Sequence, residues 1–117
     1  MGFKEDAKNL QDMVFSGQLM EAFEKYYAED VVMTDVGEGT RTGKQACREH
    51  EENFLGNIET FHGGAADHIA YDENHQVAMI ESWMDVTFKG QERTKMSQVS
   101  VQEWKDGKVV KERFYHK

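Results

Sequence analysis

Four consecutive strand-like segments make up the second half of this chain, and they restrict its fold more than any other feature. Apolar and polar side chains alternate within each segment, as in strands that have one buried face. Short turn sequences separate the segments, and Asp106-Gly107 is the strongest hairpin signal among them. A pair of glycines, Gly63-Gly64, predicts a bulge or bend in the first segment. The predicted strands are 58–71, 76–88, 92–104 and 109–116.

The first half of the chain has helical spacing instead. Apolar residues recur every three or four positions, which predicts helices at 4–15, at about 18–27 and from just after Thr42 to about Leu55. Thr42 and Gln45 have the spacing of a capping box for the third helix. A short β-rich run at 31–36 separates the second and third helices. This order predicts an α+β fold, with the helices packed on one face of a mostly antiparallel sheet.

Size, charge and cysteine content narrow the class of protein. The chain has 117 residues, and we expect a single domain over 1–117. Its net charge is −8, and the 14 basic residues are scattered among 22 acidic ones, which argues against nucleic acid or an anionic membrane as partner. No apolar run approaches the roughly 20 residues that span a bilayer. Cys47 is the one cysteine, which excludes an intrachain disulfide and favours a cytoplasmic location. The histidines have no metal-binding spacing, so no metal is expected.

The segment "DVGEGTRTGKQ" at 35–45 has three glycines and a lysine, and it suggests a phosphate-binding loop at first sight. A P-loop that ends at Gly43-Lys44 would need glycine at position 38, where Glu38 stands, and a hydroxyl residue at Gln45. A dinucleotide-binding loop would need a third glycine at Thr42. The segment is therefore interpreted as a turn that leads into the third helix.

Alternation assigns the faces of the predicted strand 76–88. The more apolar set should face the helices, and it comprises Ala78, Ile80, Ser82, Met84, Val86 and Phe88. Met79 and Trp83 fall on the opposite face, where exposed apolar side chains are typical of a subunit contact. We therefore expect a homodimer that associates through this outer face. In 92–104 the pattern leaves open which face is buried.

Two stretches resemble one known superfamily. "YYAEDVVMTDVGEGTRTGKQA" (26–46) is similar to a family segment in which a strand ends in aspartate and a glycine-containing loop leads to the third helix. "EWKDGKVVKERFY" (103–115) is similar to the family's closing hairpin. With the order of elements, they resemble the nuclear transport factor 2-like superfamily, which includes ketosteroid isomerases and SnoaL-type polyketide cyclases. The resemblance covers nearly the whole chain and implies a sheet curved into a cone around a pocket, with dimerisation through the outer sheet face.

The resemblance also implies roles for individual residues. Asp35 matches the catalytic base of the isomerases, although Val36 follows it where the family often has proline. In the isomerases a tyrosine and an aspartic acid donate the hydrogen bonds that hold an oxyanion. The tyrosine matches Leu10 and the aspartic acid matches a position at about Ser100, so neither residue here is an acidic donor. The alignment selects Ser100, Gln102 and Trp104 as residues that face the pocket.

Asp35 and His50 are the candidate catalytic residues. Asp35 lies one alternation step from Met33, so it would enter an apolar pocket where burial raises the pKa of a carboxyl group and suits it to proton transfer at carbon. The alternative is a strand-end aspartate that binds backbone N–H groups. His50 lies between Cys47 and Phe54 on the inner stripe of the third helix, as an acid–base partner of Asp35 or as an ordinary core or rim histidine.

Further residues are candidates for substrate binding. Methionines suit an adaptable apolar wall or simple core filling, and the polar strand residues suit either hydrogen bonding to a ligand or a solvated face. The acidic run Glu49, Glu51 and Glu52 is interpreted as solvated. The predicted substrate-binding set is Met33, Phe54, Met84, Met96, Gln98, Ser100, Gln102 and Trp104.

These candidates predict a pocket for a small, mostly apolar molecule that carries a carbonyl or hydroxyl group. The first hypothesis is an isomerase or cyclase that needs no cofactor, because proton transfer beside a carbonyl requires only an acid, a base and an oxyanion donor. The alternatives are a ligand-binding domain without catalysis and a dimeric protein-interaction module.

Overall fold

The part of the chain that the structure describes folds into three helices and one six-stranded sheet. The computed structural model describes residues 2–116. The helices are α1 (Phe3–Phe15), α2 (Leu19–Tyr26) and α3 (Lys44–Gly56); the strands are β1 (Tyr27–Asp35), β2 (Gly39–Thr42), β3 (Ile58–Asp72), β4 (Val77–Phe88), β5 (Arg93–Lys105) and β6 (Lys108–His116). The strand order is β2-β1-β6-β5-β4-β3, and only the β1–β6 pair is parallel. The predicted α+β class is confirmed.

The predicted meander of four strands is confirmed, and no strand end differs from its prediction by more than one residue. Its tightest turn is Asp106-Gly107, where both residues have positive φ (52° and 77°). Such a turn matches the twist of the strands that it joins. The register of β3 against β4 shifts between Phe61 and Gly63, which confirms the predicted bulge. Bulges of this kind bend the strand that carries them and increase its twist.

The structure corrects the prediction around 27–45. β1 begins at Tyr27, four residues before the predicted start, and β2 was not predicted at all. β2 pairs with the end of β1, so the glycine segment is the turn and second strand of a hairpin. The predicted capping box is wrong, because Thr42 pairs with Val32 in the hairpin and Gln45 accepts a hydrogen bond from Arg48. Gly43 is the N-cap of α3 instead.

The core lies between the helices and the concave face of the sheet. As predicted, Ala78, Ile80, Ser82 and Val86 of β4 are buried there. The structure also shows which face of β5 is inside: Ser100, Gln102 and Trp104 are buried, whereas Val99 is exposed on the outer face. In residues 2–116, no helix has the length and apolar character needed to cross a membrane.

Candidate functional site

A cavity of about 320 Å³ lies between the helices and the concave face of the sheet. Apolar side chains form most of its wall. Polar side chains converge on it from α3 and from β1, β5 and β6. Among its lining residues are Val14, Phe15, Leu19, Tyr27, Asp35, Glu38, His50, Glu51, Phe54, Ile80, Met84, Met96, Gln98, Ser100, Glu112, Phe114 and His116.

Asp35 lies on this wall at the end of β1, and both of its carboxylate oxygens have partners. Oδ2 is 2.8 Å from Nη1 of Arg41 and 3.8 Å from Nε2 of His50. Oδ1 is 3.2 Å from Nε2 of His116. The predicted pair of Asp35 and His50 therefore shares one cavity, at a distance that a small shift would close to a hydrogen bond.

His50 is the more accessible member of that pair, with 43% of its side chain exposed. Burial lowers the pKa of its imidazole, and the charge of Arg41 lowers it further, while Asp35 opposes both effects. The neutral ring is therefore favoured near neutral pH. A neutral imidazole can accept a proton at one nitrogen or donate one from the other.

Sequence reasoning missed His116 and Arg41. His116 reaches Asp35 from β6, and its Nε2 also lies 3.3 Å from Glu38. This contact depends on the parallel pairing of β1 with β6, which the local pattern of neither strand reveals. Arg41 comes from β2, the strand that was not predicted. Its Nε and Nη2 are buried without a hydrogen-bond partner among the described residues.

A buried hydrogen-bond network around Glu112 forms the floor of the cavity. The hydroxyl groups of Tyr27 and Ser100 each donate to the Glu112 carboxylate. The amide of Gln102 donates to it over 2.9 Å, and the indole N–H of Trp104 donates to Gln102 over 3.1 Å. Burial raises the pKa of Glu112, and these hydrogen bonds oppose that rise. The network gives the buried carboxyl group its hydrogen-bond partners. The donors of Tyr27, Ser100 and Gln102 are therefore not free to bind a ligand.

Glu51 differs from its acidic neighbours. Glu49 and Glu52 are exposed as predicted, but Glu51 is half-buried and lines the cavity, so its assignment to a solvated face was wrong. Burial raises the pKa of its carboxyl group to about 7, and the charge of Glu112 adds to that rise. The spacing of Glu51 from Cys47 is a helical i, i+4 step on the inner stripe, and this signal could have identified it.

Five of the eight predicted substrate-binding residues line the cavity: Phe54, Met84, Met96, Gln98 and Ser100. The other three, which were also predicted to bind the substrate, are buried in the core. Met33 and Gln102 are fully buried, and Trp104 packs edge-on against Tyr26 with 5.7 Å between ring centroids. None of the three is among the residues that line the cavity.

A model of the SnoaL-like domain family matches residues 1–116 of this sequence. The chain belongs to the SnoaL-like domain family. No functionally curated protein matches it significantly. The family therefore shows the fold and the kind of domain, and the chemistry has to be argued from the cavity.

Solved structures agree with this assignment. A provisionally assigned SnoaL-like polyketide cyclase of Mesorhizobium loti, also labelled a carbohydrate phosphatase, is 31% identical with a TM-score of 0.87, covering 98% of this chain and 99% of that one. A provisionally assigned isomerase of Bacillus subtilis is 16% identical with a TM-score of 0.84, covering 100% and 90%. An epoxide hydrolase of M. tuberculosis is 16% identical with a TM-score of 0.76, covering 97% and 76%. The last two likenesses concern the fold alone.

Proposed function

We propose that this SnoaL-like domain is a cofactor-independent enzyme of the isomerase or cyclase type. Its substrate would be a small, mostly apolar molecule with a carbonyl or hydroxyl group. One observation carries the proposal: Asp35 and His50 lie on the wall of one mostly apolar cavity, with 3.8 Å between Oδ2 and Nε2. The description of the M. loti relative as a polyketide cyclase supports the same class of reaction. The proposed setting is the cytoplasm, in keeping with a single cysteine that is a buried free thiol.

In the proposed reaction, Asp35 is the general base. It takes a proton from the carbon beside the substrate's carbonyl group, and the negative charge moves to the carbonyl oxygen. The proton then returns from Asp35 to another carbon. In a cyclase, the carbanion instead attacks a second carbonyl carbon of the substrate, the π electrons of that carbonyl move to its oxygen, and this oxygen takes the proton from Asp35. His50 is the proton-transfer partner on the same side of the cavity. Apolar walls from Phe54 and Met84 exclude water and strengthen the electrostatic interactions of the charged intermediate.

The proposal can be tested without knowledge of the natural substrate. The probe is 2-tetralone, a neutral bicyclic ketone whose α-protons exchange with D₂O when a base removes them. NMR would follow this exchange in the wild type, in Asp35→Asn and in Asp30→Asn, an exposed control on the same strand. We expect the enzyme-dependent rate of α-proton exchange to fall about 100-fold or more in Asp35→Asn, and the variant to stay folded. Undiminished exchange in Asp35→Asn would contradict the catalytic role.

A second candidate is a ligand-binding domain without catalysis. The observation that favours it is the pair of contacts on Asp35, because Arg41 holds Oδ2 at 2.8 Å and His116 holds Oδ1 at 3.2 Å. A carboxylate held on both oxygens serves to order the wall of a binding site. In that case 2-tetralone would bind without enzyme-dependent exchange, and Asp35→Ala would change its affinity only a few-fold.

The outer face of the sheet supports a proposal about assembly. We propose that the domain forms a homodimer there, through Met79 and Trp83. Exposed Val99 and Tyr115 extend the apolar surface on the same face. The ammonium of Lys95 lies 4.5 Å from the centre of the Trp83 ring, and Trp83 as a whole is partly exposed. Native mass spectrometry should show a dimer that Trp83→Ala weakens. An unchanged dimer in Trp83→Ala would contradict dimerisation through this face. A stable complex with another protein at this face would favour an interaction module.

A further inference from the structure

We propose that Glu51 donates a hydrogen bond to the substrate's carbonyl oxygen, and that the cavity therefore selects neutral carbonyl compounds. This inference rests on the proposed function and adds the oxyanion donor that the reaction requires. The two positions at which the family resemblance places acidic donors are Leu10 and Ser100, so the donor has to come from elsewhere in the cavity.

The position of Glu51 is the first argument. It follows His50 on α3 and lines the same cavity as Asp35. Unlike Asp35 and Glu112, it forms neither a hydrogen bond nor an ion pair with any described residue. Its carboxyl oxygens are not fully buried, so they are accessible from the cavity. A ligand oxygen in the cavity would provide the missing partner.

Two hydroxyl groups at the floor of the cavity already donate to a buried carboxylate. The hydroxyl proton of Ser100 points to Glu112, and so does that of Tyr27. Gln98 lines the cavity, and no described residue hydrogen-bonds to its side-chain amide, so it can supply a second donor. Glu51 is then the remaining acidic donor, and an acid stabilises developing charge better than an amide does.

The protonation state of Glu51 fits a donor. Charged groups act on it from three strands: Glu112 from β6, Asp35 from β1 and Arg41 from β2. The titratable ring of His50 lies next to it in sequence on α3. Burial and the two carboxylates raise its pKa to about 7 despite Arg41. Glu51 therefore keeps its proton at mildly acidic pH, where an ordinary carboxyl group is ionised. An ionised Glu51 has no proton to donate, and it would repel an anionic ligand.

The step conserves atoms and charge. As Asp35 takes the carbon-bound proton, the C–H electron pair forms the enolate double bond and the carbonyl π electrons move to oxygen. Glu51 holds that oxygen with its O–H group. When Asp35 returns the proton to carbon, the carbonyl re-forms and Glu51 keeps its own proton. The substrate's charge is zero before and after the reaction.

The test compares two ligands of one shape: 2-tetralone, and tetralin, which lacks the oxygen. Calorimetry at pH 6 and pH 8.5 would give the affinity ratio of ketone to hydrocarbon. We expect a preference of about tenfold for the ketone at pH 6, which is the effect of one good hydrogen bond, and its loss at pH 8.5. Glu51→Gln keeps an N–H donor, so its preference should not depend on pH. Glu52→Gln removes an exposed carboxyl group from the same helix and should behave as the wild type.

Carbon-13 NMR of the Glu51 carboxyl group supplies an independent measurement, with a midpoint expected near 7. The proposal would be overturned by a Glu51 titration midpoint in the ordinary carboxyl range. It would also be overturned if the wild type showed no preference for the ketone over the hydrocarbon, or a preference that does not change with pH. The binding assay does not depend on turnover. If Asp35→Asn keeps full α-proton exchange while the ketone preference depends on pH only when Glu51 is present, the catalytic proposal fails and the donor assignment stands. If Asp35→Asn loses exchange but the ketone preference does not depend on Glu51, only the donor assignment fails.

Discussion

Arg41 and Asp35 form an ion pair across the β1–β2 hairpin, with 2.8 Å between Nη1 and Oδ2. The pair is diagonal, because the residue opposite Arg41 in the register is Met33 and Asp35 lies two positions further along β1. Diagonal neighbours on one face are within reach of long side chains. Opposite charges therefore stand side by side at the polar end of the cavity, and each affects the proton affinity of His50.

Removal of Arg41 should raise the pKa of His50. The guanidinium disfavours the imidazolium form, so Arg41→Gln should move the histidine titration to higher pH. Asp35→Asn should move it in the opposite direction, because the carboxylate favours the imidazolium form. NMR titration of the His50 ring protons measures both shifts. Arg48→Gln is the control, since it removes a cation on α3 that pairs with Glu24 instead. Equal shifts in Arg41→Gln and Arg48→Gln would show that only overall charge matters.

Stability should fall as pH rises through the titration range of Glu51. Its pKa is raised from 4.5 to about 7, so between these values the folded protein keeps a proton that the unfolded chain has released. The full stability is present below about pH 4.5 and is lost progressively up to about pH 7. For this half-buried group we expect the free energy of unfolding to fall by about 1–3 kcal/mol over that range.

Urea denaturation between pH 5 and pH 8 provides the measurement. Glu51→Gln should make the decline of stability with pH less steep, and Glu112, whose pKa is also raised, should contribute to the decline that remains. The exposed control Glu52→Gln should keep the wild-type slope. An unchanged slope in Glu51→Gln would mean that its carboxyl group titrates normally.

Tyr27→Phe should destabilise the protein through the Glu112 network. The phenol is one of three donors to a buried carboxyl group, and hydrogen bonds to charged groups contribute about 1.5–3 kcal/mol. Tyr115→Phe, a change of the same chemistry at an exposed site, should change the free energy of unfolding by less than about 0.5 kcal/mol. Equal effects of the two variants would mean that the network contributes nothing.

Gly64→Ala should be more destabilising than Gly63→Ala. A Cβ at Gly64 would lie 2.8 Å from the carbonyl oxygen of Trp83 and 3.0 Å from the ring of Phe15, whereas one at Gly63 would meet its nearest atom at 3.9 Å. Overpacking of this kind costs about 1–3 kcal/mol. Thermal unfolding of the two variants measures the difference. Similar melting temperatures would show that both the Trp83 carbonyl on β4 and the Phe15 ring on α1 can move away from the added Cβ.

Sequence patterns predicted those elements whose signals are local. The meander was predicted because alternation and turn residues lie within each hairpin. β2 was missed because four residues, "GTRT", form a strand only through pairing with β1. The capping box failed for the same reason, since pairing of Thr42 overrides its local preference for a cap.

The candidate site follows the same rule. Asp35 was identified from its place at a strand end, and His50 from its helical spacing. His116 and Glu112 reach the cavity only because β6 lies between β1 and β5, an arrangement that no local pattern specifies. Glu51 was missed for another reason: its acidic neighbours suggested a solvated run, although its spacing from Cys47 places it on the inner stripe.

The parallel contact between β1 and β6 also has a consequence for folding kinetics. Asp35 and His116 are 81 residues apart in sequence, and Tyr27 is 85 from Glu112. Pairs so distant meet only after a long loop has closed, and such contacts slow folding. The hairpins of the meander can form early, but the cavity wall is complete only when the central strands have joined. Recovery of ligand binding during refolding should therefore lag behind recovery of the β-sheet signal in circular dichroism.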